Sequence, residues 1–248
     1  MLTQYQLTLC PEQPCRPQPE WAYRLYAALL AQAPGDFASR AHRDGVTPVS
    51  QYLTGTGQTL RWTVSLLGEE SEQALAPVLE RLDRVRLERD RVTLRTEGLD
   101  CRTIRDVDGL FALSAGAEPL QRLRFVTAAC FKSRGQYLPL PTARLIVQSL
   151  IKKWNGCILD CPIEDEDGQG LEALAAGLRP RSFRLYSRDY VLKGSPIPGF
   201  VGELTLENRL EGFHRELANA LLCFAPFSGV GIKTTLGMGG VEHMDHLS

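Results

Sequence analysis

A glycine-rich segment near the end of the chain, residues 229–240, has the composition of a phosphate-binding loop. It reads GVGIKTTLGMGG. Glycines let a backbone approach a phosphate chain closely, and their amides can donate hydrogen bonds to phosphate oxygens. The lysine adds a positive charge and the threonines add hydroxyl donors. We therefore predict phosphate contacts at six residues of this loop: Gly229, Gly231, Lys233, Thr234, Gly237 and Gly239.

Two common phosphate-binding motifs do not fit this loop. A P-loop needs a Gly-Lys-Ser/Thr string four residues after a first glycine, and the chain has none. A dinucleotide fingerprint would need a glycine at position 234, which is Thr234, and a strand before the loop, where the sequence predicts a helix. The alternative that remains open is a tight connection with no ligand.

Positive charge is concentrated in two stretches, although the net charge of the chain is only −1. Residues 120–154 contain lysines and arginines but no acidic residue, and residues 179–193 contain a single aspartate. An acidic segment, residues 160–172, lies between them. Such segregation directs a polyanion to one face of a protein, although solvated faces are the alternative. Lys132 and Arg134 of the first stretch are predicted to contact such a polyanion.

Four histidines are available for proton transfer near neutral pH. His243 and His246 are expected in a disordered C-terminal tail, and His214 is expected on the helix before the glycine-rich loop. His42 lies in a polar, loop-like stretch. It is therefore the candidate general base or acid.

No metal, cofactor or membrane segment is expected from the composition. Cys157 and Cys161 have the spacing of half a zinc site, but no second pair completes it. The acidic residues 160–167 lack the order of a calcium-binding loop and are expected to be solvated. The odd count of 7 cysteines and the lack of a secretion signal indicate a reducing cytoplasm. No run of about 18 apolar residues could cross a bilayer.

The periodicity of the sequence predicts an α+β fold in which one pattern occurs twice. In the first half we expect a strand, a helix, a strand, a helix and late strands, at residues 2–9, 20–32, 60–66, 72–83, 91–96 and 101–107; residues 46–57 are expected to be loop-like. In the second half the strands are expected at residues 123–129, 182–192, 200–206 and 238–242, and the helices at residues 141–155 and 211–224. This order is typical of ferredoxin-like βαββαβ domains, predicted here over residues 1–117 and 118–248.

Several segments resemble the CRISPR repeat-processing endoribonucleases, the Cas6 family of the RAMP superfamily. The second-half segments are residues 131–141 with 145–154, the GFVG of residues 199–202, and residues 221–231 with the lysine, threonine and glycine of the loop. The first half contributes a helix from Trp21, His42 and the PVS of residues 48–50. The resemblance covers nearly the whole chain and is stronger in the second half.

The resemblance implies two tandem ferredoxin-like domains with a cleft between them, where the glycine-rich loop contacts the RNA backbone. It implies a metal-independent endoribonuclease that cleaves CRISPR repeat RNA (pre-crRNA) to mature crRNA. The products would carry a 2′,3′-cyclic phosphate and a 5′-hydroxyl. Repeat RNA, other subunits of an interference complex and a homodimer are the partners it suggests.

The resemblance also implies residue roles. His42 matches the position of the family's catalytic histidine, and Tyr26 or Tyr23 matches a tyrosine that assists it. Some members have a catalytic lysine soon after the histidine, but the VTP of residues 46–48 contains none. Four residues remain candidates for this cation: Arg40, Arg43, Lys132 and Arg134. RNA binding is the first role expected for Lys132 and Arg134.

Two other functions stay open at this point. A non-cleaving RNA-binding subunit of an interference complex would share the basic surface but would not cleave RNA. A small-molecule-binding regulatory protein of paired ferredoxin-like domains would share only the fold. Trp154 and Tyr137 are residues that either stack on RNA bases or pack in the core.

Overall fold

Two antiparallel β-sheets, each packed against helices, form the frame of the protein. A computed structural model describes residues 1–18, 20–35, 37, 47–56 and 58–244. The strands are β1 (Leu2–Pro11), β2 (Val49–Thr56), β3 (Thr59–Leu67), β4 (Arg84–Leu87), β5 (Val92–Ile104), β6 (Leu120–Ala129), β7 (Phe131–Ser133), β8 (Gln136–Leu138), β9 (Leu178–Ser187), β10 (Tyr190–Leu192), β11 (Ser195–Ile197), β12 (Phe200–Asn208) and β13 (Val241–His243). The helices are α1 (Trp21–Leu30), α2 (Glu69–Glu80), α3 (Val107–Ser114), α4 (Ala143–Cys157), α5 (Gln169–Gly177) and α6 (Gly212–Ser228), and a short 3₁₀ turn spans Thr234–Leu236.

Both large sheets have the strand order of a ferredoxin-like fold. The first is ordered β2-β3-β1-β5-β4, so β4 is an added edge strand, and the second is ordered β13-β6-β12-β9. The hairpins β7–β8 and β10–β11 are separate two-stranded sheets inserted into the second half. The expected α+β class, with tandem ferredoxin-like units, is confirmed.

Each sheet buries one apolar face under its helices. In the first half Trp21 and Leu25 of α1 pack with Leu7 and Trp62 of the sheet. In the second half α4 and α6 pack on β6, β12 and β13 in a separate cluster. Leu110 of α3 belongs to this second cluster, although it precedes the predicted boundary. The boundary near residue 117 stays a prediction.

Strand β2 corrects the expectation of a loop over residues 46–57. It pairs with β3 from Val49 to Thr56. Apolar alternation is weak here because polar side chains are buried and hydrogen-bonded: Ser50 donates to the Phe227 carbonyl at 2.5 Å. Gln51 Nε2 donates to the Thr235 carbonyl, and Gln51 Oε1 accepts from Trp62 Nε1, both at 2.9 Å. A pattern based on hydrophobicity cannot detect such a strand.

Helices α3 and α5 were not predicted, and in the first turn of each helix backbone amides donate to an aspartate that precedes the helix. Asp106 accepts from the Gly109 amide at 2.7 Å. Asp165 accepts from the Gly170 and Leu171 amides at 2.8 Å each. In the acidic segment, residues 160–168 therefore form a loop, whereas residues 169–172 belong to α5.

Two side chains lie deeper than the sequence suggests. The prediction that His243 lies in a disordered tail is wrong: it belongs to β13, is 3% exposed, and its Nδ1 lies 3.9 Å from Cys223 Sγ. His246 lies outside the described residues. Trp154 packs in the second core and donates from Nε1 to the Cys161 carbonyl at 2.7 Å, so core packing is its role.

Among the described residues, no helix has both the length and the apolar character that a bilayer span requires.

Candidate nucleic-acid interface

A cavity of about 410 Å³ lies where the two halves meet under the glycine-rich loop. The first half supplies the end of β3 and the residues at the start of β2, and the second half supplies β7, α4 and the loop. The polar lining residues are Thr47, Lys132, Ser133, Gln148, Ser149, Lys152, Lys153, Ser228, Lys233, Thr234 and Thr235.

The charge of this cavity is of one sign. Four lysines line it, Lys132, Lys152, Lys153 and Lys233, and no described lining residue is a carboxylate. Clustered positive charge attracts a polyanion and raises its local concentration. A divalent cation, by contrast, needs oxygen ligands that carry negative charge. Among the described residues, no group of three or more His, Cys, Asp or Glu side chains is placed to hold a metal ion.

The β7–β8 hairpin carries the predicted RNA-binding pair: Lys132 lines the cavity, whereas Arg134, at the turn, is not a lining residue. Arg134 and Gly135 both have positive φ angles, 47° and 83°, as a two-residue type I′ turn requires. Lys132 Nζ lies 5.7 Å from the centre of the Tyr137 ring. Tyr137 is itself 39% exposed, so its ring can stack on a base as well.

Many amides of the glycine-rich loop donate hydrogen bonds within the protein. The sequence analysis instead expected these amides to donate to phosphate oxygens. Gly231 N donates to Ser149 Oγ and Gly239 N donates to the Ala128 carbonyl, at 2.8 and 2.9 Å. The amides of Val230, Ile232 and Gly240 also donate to acceptors within the protein. These amides therefore stabilise the loop. Lys233 and Thr234 line the cavity, and the predicted phosphate contacts of the loop residues stay predictions.

The glycines of the loop are needed for close packing between the halves. A Cβ on Gly237 would lie 2.6 Å from the Cβ of Ala22 on α1 and would clash with the Tyr190 hydroxyl. A Cβ on Gly240 would lie 2.5 Å from Cγ of Tyr52. Gly231 has a φ of +89° and approaches the Cys130 carbonyl closely. The loop is thus wedged between α1 and β2 on one side and the second half on the other.

Helix α4 fixes the start of the loop with two side chains one turn apart. Ser149 Oγ accepts the Gly231 amide, and Lys153 Nζ donates to the Ser228 and Gly229 carbonyls at 3.0 and 2.8 Å. Those carbonyls end α6, where helices favour a cation. Burial lowers the pKa of Lys153 to about 7.

Comparison with known proteins agrees with this geometry. Residues 123–241 match the family model described as CRISPR-associated endoribonuclease Cas6. The chain is 29% identical over 223 residues to the CRISPR-associated endoribonuclease Cas6 of Mycobacterium tuberculosis, covering 88% of this chain and 70% of that protein. It is 27% identical over 228 residues to the Streptococcus thermophilus Cas6, covering 91% and 92%. A solved Cas6 product complex superposes with a TM-score of 0.77 at 26% identity, over 97% of this chain and 99% of that one.

The family-model match, the curated relatives and the superposed structure support the Cas6 family for this chain. They confirm the resemblance seen in the sequence, and the superposition covers both halves. The matched family and relatives are described as CRISPR-associated endoribonucleases, which supports the processing of CRISPR repeat RNA.

Of the predicted catalytic residues His42, Tyr26 and Tyr23, the structure describes the two tyrosines. His42, Arg40 and Arg43 lie outside the described residues. Tyr26 is buried in the first core, and burial raises its pKa to about 12, so the phenol stays protonated at neutral pH. Tyr23 is half-buried with Lys193 Nζ 5.1 Å from its ring centre. The structure brings Lys132 together with Lys233 and Thr234, but neither tyrosine lines the cavity.

Sequence reasoning missed Ser149 and Lys153 as site residues. Both lie in the first basic stretch, on a helix that was correctly predicted, and they are four positions apart. That spacing places them on one face of α4. The sequence could have pointed to Lys153, because it is adjacent to Trp154 on the apolar side of α4. A charged side chain so close to the core needs a specific partner.

Proposed function

We propose that this chain binds CRISPR repeat RNA across the lysine-lined cavity and cleaves it without a metal ion. The observation that carries the proposal is a cavity with four lysines and no described carboxylate, under a glycine-rich loop, at the junction of two ferredoxin-like units. A ribose-phosphate backbone supplies the negative charge that this lining lacks. The solved relative bound to its product, which superposes over nearly the whole chain, supports RNA as the ligand.

The proposed reaction is an internal transesterification. The 2′-hydroxyl oxygen forms a bond to phosphorus while the bond to the 5′-oxygen breaks. The 2′-hydroxyl proton passes to a base, and an acid protonates the leaving 5′-oxygen. The products are a 2′,3′-cyclic phosphate and a 5′-hydroxyl. Lysine side chains stabilise the additional negative charge on the phosphorane oxygens.

His42 is the residue that we assign to proton transfer. It precedes Thr47, which lines the cavity, by five residues. The raised pKa of Tyr26 suits it to donate a hydrogen bond but makes it a poor base at neutral pH. Tyr23 keeps the same proposed assisting role.

The experiment that tests this function uses labelled repeat RNA in EDTA. We expect cleavage with purified protein, and no cleavage of an RNA that carries a 2′-deoxyribose just upstream of the cut. Mass spectrometry of the 5′ fragment should show a cyclic phosphate. Cleavage that needs a divalent metal, or that proceeds on the deoxy RNA, contradicts the mechanism.

Replacing His42 should have the largest effect on the rate. We expect His42→Ala to slow single-turnover cleavage by roughly 100-fold or more, because a positioned proton-transfer group contributes about that factor. RNA affinity, measured by filter binding, should change little. His214→Ala is the matched control, since this histidine lines a different cavity. An unchanged rate in His42→Ala removes the residue from the site.

A second function is favoured by one observation, the lack of a lysine in residues 46–48. A non-cleaving RNA-binding subunit would bind the repeat tightly and leave it intact in the same experiment. A small-molecule regulator would bind RNA weakly with little dependence on salt. Assembly with interference subunits, homodimerisation and a cytoplasmic location stay predictions.

A further inference from the structure

Lys153 is a partly buried cation to which the reaction above gives no role of its own. Its Nζ lies within hydrogen-bonding distance of two backbone carbonyls, at Ser228 and Gly229, where α6 passes into the glycine-rich loop. The same side chain lines the cavity assigned to RNA. A protonated lysine has three N–H protons. Two are used by the carbonyls, which leaves one for an acceptor in the cavity.

The surroundings of Lys153 contain no negative charge among the described residues that line the cavity. Lys152 and Cys157 face the cavity from α4, Lys132 from β7 and Lys233 from the loop. Burial raises the pKa of the Cys157 thiol to about 12, so it is neutral. An ammonium group with dipoles but no counter-ion is incompletely stabilised. An anion in the cavity would supply what is missing.

We propose that Lys153 is a positioning residue that joins the start of the glycine-rich loop to an RNA phosphate, donating two protons to the Ser228 and Gly229 carbonyls and the third to a phosphate oxygen. This inference rests on the proposed RNA-binding function and extends it, because it makes RNA binding and loop position depend on the same ammonium group. Ser149 completes the clamp by accepting the Gly231 amide.

Proton uptake follows from this arrangement. In the free protein, burial holds the pKa of Lys153 at about 7, so the amine is partly neutral at physiological pH. A phosphate beside it favours the charged form and raises its pKa in the complex. Binding therefore takes up a proton at pH values between the free and bound pKa, and RNA affinity falls as pH rises through that window.

The first test measures that proton by titration calorimetry of 2′-deoxy repeat RNA, in buffers of different ionisation enthalpy. At pH 8 we expect Lys153 to contribute up to about 0.9 proton per RNA, since about a tenth of a group with pKa 7 is protonated there. Lys153→Arg keeps a permanent charge and should remove this uptake. Lys152→Met, which removes a neighbouring charge of the same cavity, should weaken binding and leave the uptake unchanged. Equal uptake in the wild type and Lys153→Arg overturns the proposal.

The second test needs no RNA. Lys153→Met should speed hydrogen exchange at Gly231 and neighbouring loop amides by about tenfold or more, because the carbonyls of the helix end lose their donor. Lys153→Arg should restore much of the protection. If hydrogen exchange in Lys153→Met is unchanged, Lys153 does not hold the start of the loop and the proposal is overturned. If exchange and proton uptake behave as expected while the ribose RNA is not cut, the proposed nuclease function fails and this inference stands.

Discussion

Helix α4 contributes side chains to two cavities of similar size and opposite character. The first, of about 410 Å³, is the lysine-lined cavity under the glycine-rich loop. The second, of about 440 Å³, lies among α3, α4, α5 and α6, and its charged residues are Asp108, Glu164 and Asp165 beside His214. Apolar groups such as Ile151 and Trp154 form much of its wall. Volume alone does not distinguish the two cavities, whereas the sign of their charge does, and the proposed RNA site rests on that difference.

The largest expected difference between the cavities is in RNA affinity. Lys132→Met combined with Lys233→Met should weaken repeat RNA binding by about 100-fold, because each charge-assisted contact contributes roughly tenfold or more. The slope of log affinity against log salt should become less steep by about 1.4, or about 0.7 for each lost phosphate contact. Filter binding at several salt concentrations measures both.

The matched control for that double variant changes the second cavity. Asp108→Asn with Glu164→Gln removes two charges there and should leave affinity and salt slope within about twofold of the wild type. If both double variants alter binding equally, the sign of the cavity charge does not locate the RNA.

An intermediate effect is expected on stability, at the glycine-rich loop. Gly237→Ala should lower the free energy of unfolding by about 2–4 kcal/mol, because it adds a clash with Ala22 and Tyr190 to the cost of a positive φ of 101°. Gly116→Ala is the control, since Gly116 has a φ of 76° with no atom near the added Cβ. Urea denaturation of both variants separates the packing cost from the conformational cost. If both variants lose the same free energy of unfolding, close packing of Gly237 against α1 and Tyr190 is refuted.

The smallest effect is expected beside the second cavity. Asp165→Ala should cost about 1 kcal/mol, because it removes the acceptor of two amides in the first turn of α5. Cleavage of repeat RNA should be unaffected. Glu166→Ala, at an exposed neighbouring position, should change the free energy of unfolding by less than about 0.5 kcal/mol. A loss of cleavage in Asp165→Ala would mean that the second cavity takes part in the reaction.

The sequence was sufficient for the features that depend on local pattern. Apolar periodicity located α1, α4 and α6 within a few residues and the main strands of both sheets, because amphipathic spacing is a property of neighbouring residues. Composition was sufficient to find the glycine-rich loop and the basic stretch that contains Lys132. The resemblance to Cas6 rested on the same segments, and the comparisons confirm it.

Only the tertiary structure decided which groups of these segments are free to bind. Ser149 meets Gly231 and Lys153 meets Gly229 across about 80 residues of chain, a separation that no local pattern encodes. Burial of Gln51 and His243 depends on strands contributed by distant segments. The sequence therefore determined which residues carry charge and flexibility, while the fold determined which amides are already bonded and which ammonium groups face a common cavity. The physical reason is that hydrogen-bond partners and desolvation are set by three-dimensional neighbours, not by position along the chain.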